Sequence, residues 1–135
     1  MADVGAGSGD YTVRLAERVG PTRPVFATDI QPEMLSLLRT RVSRARWDSV
    51  DLVLMVDVYH ELARPHEVLR KLRAPLKPDG RLVLVEFRAE SAWVLIRREH
   101  KMSVKEARME LEAEGYRFDR VIDVLPWQHI LVFRR

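Results

Sequence analysis

Three glycines alternate near the start of the chain, at Gly5, Gly7 and Gly9, in the stretch D-V-G-A-G-S-G from Asp3 to Gly9. Glycine tolerates backbone conformations closed to other residues and lets a ligand lie directly against the main chain. A glycine turn between a strand and a helix also aims helix N–H groups at that ligand. A dinucleotide needs G-x-G-x-x-G. Counted from Gly5, the last position of that pattern is Asp10, so the fingerprint fails. No G-K-[ST] follows, which excludes a phosphate-binding P-loop. Asp3 and Asp10 would set negative charge beside a pyrophosphate, whereas they suit a ligand that is positive near the loop. Asp29 follows roughly 20 residues later, at the end of a second strand, where an acid accepts hydrogen bonds from ribose hydroxyls. An adenosine carrying a cationic amino-acid arm fits both ends of such a site.

Other chemistry-bearing residues fall where strands end. Asp57, Tyr59 and His60 follow the strand at 50–58, and Glu86 and Arg88 close the strand at 81–87. His60 and Tyr59 are the catalytic candidates. Glu86, Arg88 and His100 are substrate candidates, with a structural Glu86–Arg88 ion pair as the alternative. Trp93 reads as a lid packed on the sheet, and Trp127 and His129 as core or hairpin packing. No metal ligand set is expected, because His60 and Glu61 are adjacent and would diverge on a strand. The basic run Arg39, Arg41, Arg44 and Arg46 lacks interleaved aromatics, so it reads as a solvated face and disfavours a nucleic-acid partner.

Alternating strands and helices must position these groups. A stub of strand at 1–4 enters the glycine loop, and a helix at 11–19 stops at Gly20-Pro21. A short strand spans 25–29, and Pro32 opens a helix over 32–44. The run VDLVLMVDV at 50–58 is nearly continuous and apolar, as in a strand covered on both faces. Pro65 opens the next helix, whose last turn carries Pro75 and loses a hydrogen bond there. Pro78-Asp79-Gly80 turns into the strand at 81–87. Ser103 and Glu106 form a capping box that starts a helix running to Gly115. Strands at 118–124 and 129–134 are joined too closely for a crossover, so they are antiparallel. The pattern implies an α/β three-layer sandwich in a single domain over 1–135.

The sequence has 135 residues, a formal charge of +3 and no cysteine, which excludes disulfides, thiolate metal sites and cysteine nucleophiles. No apolar run approaches the roughly 20 residues of a membrane span. No signal peptide is visible, so a cytoplasmic location and no membrane partner are expected. Oligomeric state is not readable.

The Asp3–Gly9 motif resembles the first motif of class I S-adenosylmethionine-dependent methyltransferases. Asp29 matches the acid after their second strand, S-V-D-L-V-L-M-V-D-V-Y-H (Ser49 to His60) their fourth strand, and L-K-P-D-G-R-L-V-L-V-E-F (Leu76 to Phe87) the turn into their fifth. The matches run in order across most of the chain. The resemblance implies a mostly parallel sheet with an antiparallel last strand and S-adenosylmethionine as cofactor. It implies that Gly5, Gly7 and Gly9 pack under the methionine arm, that Asp3 sits near its ammonium group, and that Asp29 takes the ribose. Asp57 and Tyr59 would lie near the sulfonium or the substrate. The implied activity is methyl transfer to a small-molecule acceptor. The rivals are a non-catalytic remnant with weak cofactor binding and an enzyme acting on RNA or protein.

Two departures accompany the resemblance. The family carries a longer first strand and a preceding helix than the stretch ahead of Asp3 supplies, so the chain reads as shortened at its N-terminus. Only residues 45–49 separate the helix at 32–44 from the next strand, so the third strand reads as missing and Asp48 is a poor substitute for its adenine-side acid. The expected order is then 2-1-4-5-7-6 in the family's strand labels. With that order, either the helix at 32–44 changes face or its connection is left-handed.

Overall fold

The computed structural model describes residues 1–20, 22–29, 31, 33–34 and 50–135. Among the described residues, seven strands form one sheet: β1 (Ala2–Val4), β2 (Phe26–Thr28), β3 (Val50–Val56), β4 (Leu76–Arg88), β5 (Lys101–Met102), β6 (Arg117–Ile122) and β7 (Gln128–Arg134). Their order is β2-β1-β3-β4-β7-β6, with β5 paired to β4. Pairing is parallel from β2 through β4 and antiparallel for β4–β7 and β6–β7. This is the expected order, with β3, β4, β6 and β7 as the family's fourth to seventh strands. The helices are α1 (Asp10–Val19), α2 (Pro65–Arg73) and α3 (Val104–Ala113).

The layers follow from strand alternation. Ala2 and Val4 pack with one core that also holds Leu69 and Leu72 of α2 and Ala107 and Leu111 of α3. Asp3 therefore points to the other face, where Thr12 of α1 meets it. Leu82 and Leu84 of β4 lie in the same core as Leu131 and Phe133, their neighbours across β7. Apolar β4 and β7 residues thus fill the face that α2 and α3 cover, which is what stabilises the sheet. Ser103 and Glu106 make the expected capping box, each side chain satisfying a backbone N–H of the other.

Several boundaries differ from the sequence reading. β4 begins at Leu76 because Leu76 pairs with Val50 before the ladder slips and resumes at Leu52 and Arg81. The expected turn at Pro78-Asp79-Gly80 is therefore an irregularity within a strand, and a Cβ at Gly80 would lie 2.8 Å from the Lys77 carbonyl. Helix α2 ends at Arg73, so Pro75 breaks no helical bond; its carbonyl instead accepts from the Val50 N–H at 2.8 Å. β3 stops at Val56 because Asp57 adopts φ 52°. The two-residue β5 was not foreseen. It takes the edge of β4 that β3 leaves after Val85, pairing Lys101 with Phe87 and Met102 with Arg88. Of the helix expected at 32–44, Glu33 and Met34 are helical and the rest lies outside the described residues, as do the connection at 45–49, Asp48 and the four arginines of the basic run.

Candidate functional site

The carboxyl ends of β1, β2 and β3 open onto a cavity of about 390 Å³, lined by Val4, Gly5, Gly7, Thr28, Asp29, Gln31, Met34, Val58, Glu61 and Leu62. That size lies within the usual range for small-molecule sites. The glycines have distinct tasks. The N–H groups of Gly5 and Ala6 both donate to the Thr28 carbonyl, at 2.8 and 2.9 Å, so the loop is stitched to the end of β2. A Cβ at Gly5 would lie 2.5 Å from a Val58 methyl, so this glycine lets β1 and the loop after β3 close on each other. At Gly7 a Cβ would meet nothing within 4 Å. The open space beside Gly7 is the cavity itself. Gly9, at φ 93°, is the N-cap of α1 and, among the cavity's described residues, not part of the lining.

Asp29 lines the cavity, and its carboxylate accepts from Gly7 N–H at 2.8 Å and Gln31 N–H at 2.9 Å. Each oxygen is held by one backbone donor and keeps a further lone pair for a ligand hydroxyl. Asp3 does not reach the cavity wall. It is 2% exposed beneath the loop, where the Thr12 hydroxyl donates to it at 2.6 Å. Burial pushes its carboxyl above the usual range, the Thr12 bond opposes that, and the Asp29 charge adds to it. Two acids thus repel one another around the glycine loop, an arrangement that a cationic ligand would relieve.

The turn after β3, which lends Val58, Glu61 and Leu62 to the cavity, is held by side chains behind it. Asp57 holds its positive φ with both carboxylate oxygens accepting from Gln128 Nε2, at 2.8 and 2.6 Å. Backbone strain of this kind in a non-glycine residue marks over-determined sites. Asp57 faces this anchor rather than the cavity lining, and Gln128 was not foreseen. Tyr59, His60 and Glu61 form a single 3-10 turn, not a strand extension. Tyr59 is buried, and its hydroxyl donates to Glu110 at 2.7 Å. Burial and the neighbouring carboxylates hold its phenol far above its ordinary pKa, so it stays protonated as a donor to Glu110.

Glu86 is 0% exposed, on the core face of β4 in line with Leu82 and Leu84. One oxygen accepts from Tyr59 N–H at 2.9 Å and the other lies 2.6 Å from His60 Nδ1. Burial raises the Glu86 carboxyl, opposed by the His60 and Tyr59 bonds. An acid accepting from Tyr59 N–H is best satisfied by Nδ1–H of His60, which leaves the lone pair on His60 Nε2. His100 stands beside it, Nδ1 3.3 Å from His60 Nε2. Glu86 therefore pairs with His60, not with Arg88. Arg88 instead binds Asp123 at 2.6 Å and the Leu125 carbonyl at 2.9 Å, tying the end of β4 to the β6–β7 connection.

His129 is buried, as expected, and burial lowers its pKa. Trp93 is 89% exposed and Trp127 61% exposed, so neither packs as a lid or hairpin core. Glu61 and Gln31, both lining the cavity, carried no signal beyond their position after a strand end.

The sequence profile of a methyltransferase domain matches residues 2–82. A protein-L-isoaspartate O-methyltransferase from Methanothrix thermoacetophila is 25% identical over 118 residues, covering 79% of this chain and 56% of that protein. A ubiquinone/menaquinone biosynthesis C-methyltransferase from Ectopseudomonas mendocina is 30% identical over 105 residues, covering 64% of this chain and 41% of that protein. The chain thus spans about half the length of these relatives. The crystal structure of a SAM-dependent methyltransferase from Aquifex aeolicus superimposes with a TM-score of 0.83 at 26% identity, over 98% of this chain and 79% of that one.

Proposed function

The chain belongs to the methyltransferase-domain family, and from that premise we propose that it binds S-adenosylmethionine in the glycine-loop cavity and serves methyl transfer to a small-molecule acceptor. The observation that carries this reading is the open space at Gly7, edged by Asp29 and underlain by the buried acid Asp3. Bound there, the cofactor would supply an activated methyl group open to in-line displacement. Gly7 would let the methionine arm lie on the backbone, and Asp29 would accept from the ribose hydroxyls through its free lone pairs. Asp3 would act through its charge beneath the loop. Val58, Leu62 and Met34 supply apolar surface that excludes water, and alignment with desolvation is the main contribution a protein makes to such a displacement.

The acceptor would approach from the side of His60, whose ring Glu86 fixes and whose Nε2 faces His100. No helix among the described residues is long and apolar enough to cross a membrane. A small, diffusible acceptor and a cytoplasmic setting are part of the same proposal.

Calorimetric titration with S-adenosylhomocysteine tests the reading. Saturable binding by the parent chain that Gly7→Val abolishes is the expected result. Silence at millimolar ligand would instead favour a remnant that keeps the fold without a working pocket.

A further inference from the structure

The geometry points to a divalent transition-metal site of the zinc type, built from His60 Nε2, His100 Nδ1 and the Glu61 carboxylate, with a fourth position open to water or to an oxygen of the acceptor. One ligand atom from each of these three residues lies within 4.8 Å of the other two. His60 Nε2 and His100 Nδ1 are 3.3 Å apart. Two nitrogens bound tetrahedrally to zinc at about 2.0–2.1 Å stand about 3.3 Å apart, so this edge is already at coordination distance. The same separation is long for a hydrogen bond between two imidazoles. Glu61 Oε1 is 4.0 Å from His60 Nε2, and its exposed side chain needs only a small rotation to close on the same point.

The support behind the ligands matches what metal sites require. A ligating histidine normally donates its other ring N–H to a carboxylate, which fixes the tautomer and raises the ligand's basicity. His60 does this to the fully buried Glu86 at 2.6 Å. Glu86 is itself oriented by Tyr59 N–H at 2.9 Å. The nearby cation, Lys101, reaches toward the Ser91 carbonyl at 3.5 Å rather than toward the histidines. The fold explains the convergence. His60 and Glu61 share the turn after β3, and His100 ends the turn before β5, which takes β4's edge just past β3. Two histidines, one carboxylate and an open position is the donor set of catalytic zinc sites and also of non-haem iron(II) sites. Glu61 also lines the glycine-loop cavity, so the metal would stand at its rim.

His60, His100 and Glu61 supply the three ligands themselves, and only the acceptor oxygen at the fourth position rests on the proposed methyl transfer. Equilibrium dialysis of chelator-stripped protein against Zn²⁺ should give one ion per chain, and Co²⁺ should give the intense visible bands of a four- or five-coordinate site. His100→Ala and Glu61→Ala should each weaken Zn²⁺ binding by at least about tenfold, and Glu86→Gln, which removes only the positioning carboxylate, by about 10- to 100-fold. His66→Ala, at an exposed residue paired with Glu114, should leave binding unchanged. Circular dichroism guards against unfolding, and the exposed position of Glu61 makes Glu61→Ala the safest variant. No uptake at micromolar free Zn²⁺, or uptake that survives both His100→Ala and Glu61→Ala, or uptake that His66→Ala removes, would overturn the site. Titration of metal-free protein with S-adenosylhomocysteine reads the cofactor pocket separately.

Discussion

The loops that follow β1 and β3 face one another across the same cavity and are built on opposite plans. The loop after β1 offers backbone and space: glycines at φ 72° and 52°, main-chain bonds to Thr28, and a void beside Gly7. The loop after β3 offers side chains, each fixed by a distant partner: Asp57 by Gln128, Tyr59 by Glu110 and His60 by Glu86. A wall of backbone and void can accept a ligand closely but has little chemistry of its own. The pinned side chains stand behind the lining residues Val58, Glu61 and Leu62 and hold that turn pre-organised. Under the proposed function, the first loop would hold the cofactor and the second would serve the chemistry.

Substitution at the glycines should separate packing from holding most sharply. Gly5→Ala places a Cβ against Val58 and forces a left-handed backbone on alanine. The strain is about 1–2 kcal/mol, and overpacking adds about 1–3 kcal/mol. Urea denaturation should show the loss. Gly7→Ala should show only the strain, about 1–2 kcal/mol, because its Cβ enters open space. Equal losses at the two positions would erase the distinction between them.

Asp29→Ala should weaken S-adenosylhomocysteine binding by about 10- to 100-fold, from loss of charge-assisted hydrogen bonds worth about 1.5–3 kcal/mol. An affinity within twofold of the parent would remove Asp29 from the site. Asp3→Asn should move stability and binding in opposite directions. In the unfolded chain Asp3 ionises at the ordinary carboxylate value, whereas burial holds it higher in the fold. Its ionised form therefore costs stability as pH rises from the unfolded pKa through the folded one. Asn should raise the melting temperature at neutral pH, with the gain vanishing below about pH 4, and should weaken binding of a cationic ligand. A gain that persists at acid pH would contradict the burial account. The smallest effect belongs to Trp93→Ala, within about 0.5 kcal/mol, since the side chain is 89% exposed.

The backbone-built loop was legible in the sequence because its signal is local: alternate glycines, an acid ahead of them and Asp29 at the next strand end. The strand order was legible only through the resemblance, since periodicity alone does not say which strands are neighbours. The side-chain wall was half legible. His60, Tyr59 and Glu86 were visible as residues at strand ends, but their pairing was not, because Glu86 lies 26 residues from His60 and Gln128 lies 71 from Asp57. His60 and Glu61 were expected to diverge as strand residues. The positive φ of Asp57 ends β3 early and winds them into one turn instead. β5 escaped notice because two residues carry no periodicity, yet it brings His100 beside His60.

Hydrogen exchange of the chain with and without saturating S-adenosylhomocysteine tests the central claim, that the glycine-loop cavity is the cofactor site, most directly. Slowed exchange at residues 5–9 and 58–62, with the hairpin at 117–134 unchanged, is the predicted result. Unchanged exchange throughout at millimolar ligand, or protection confined to the hairpin, would contradict it.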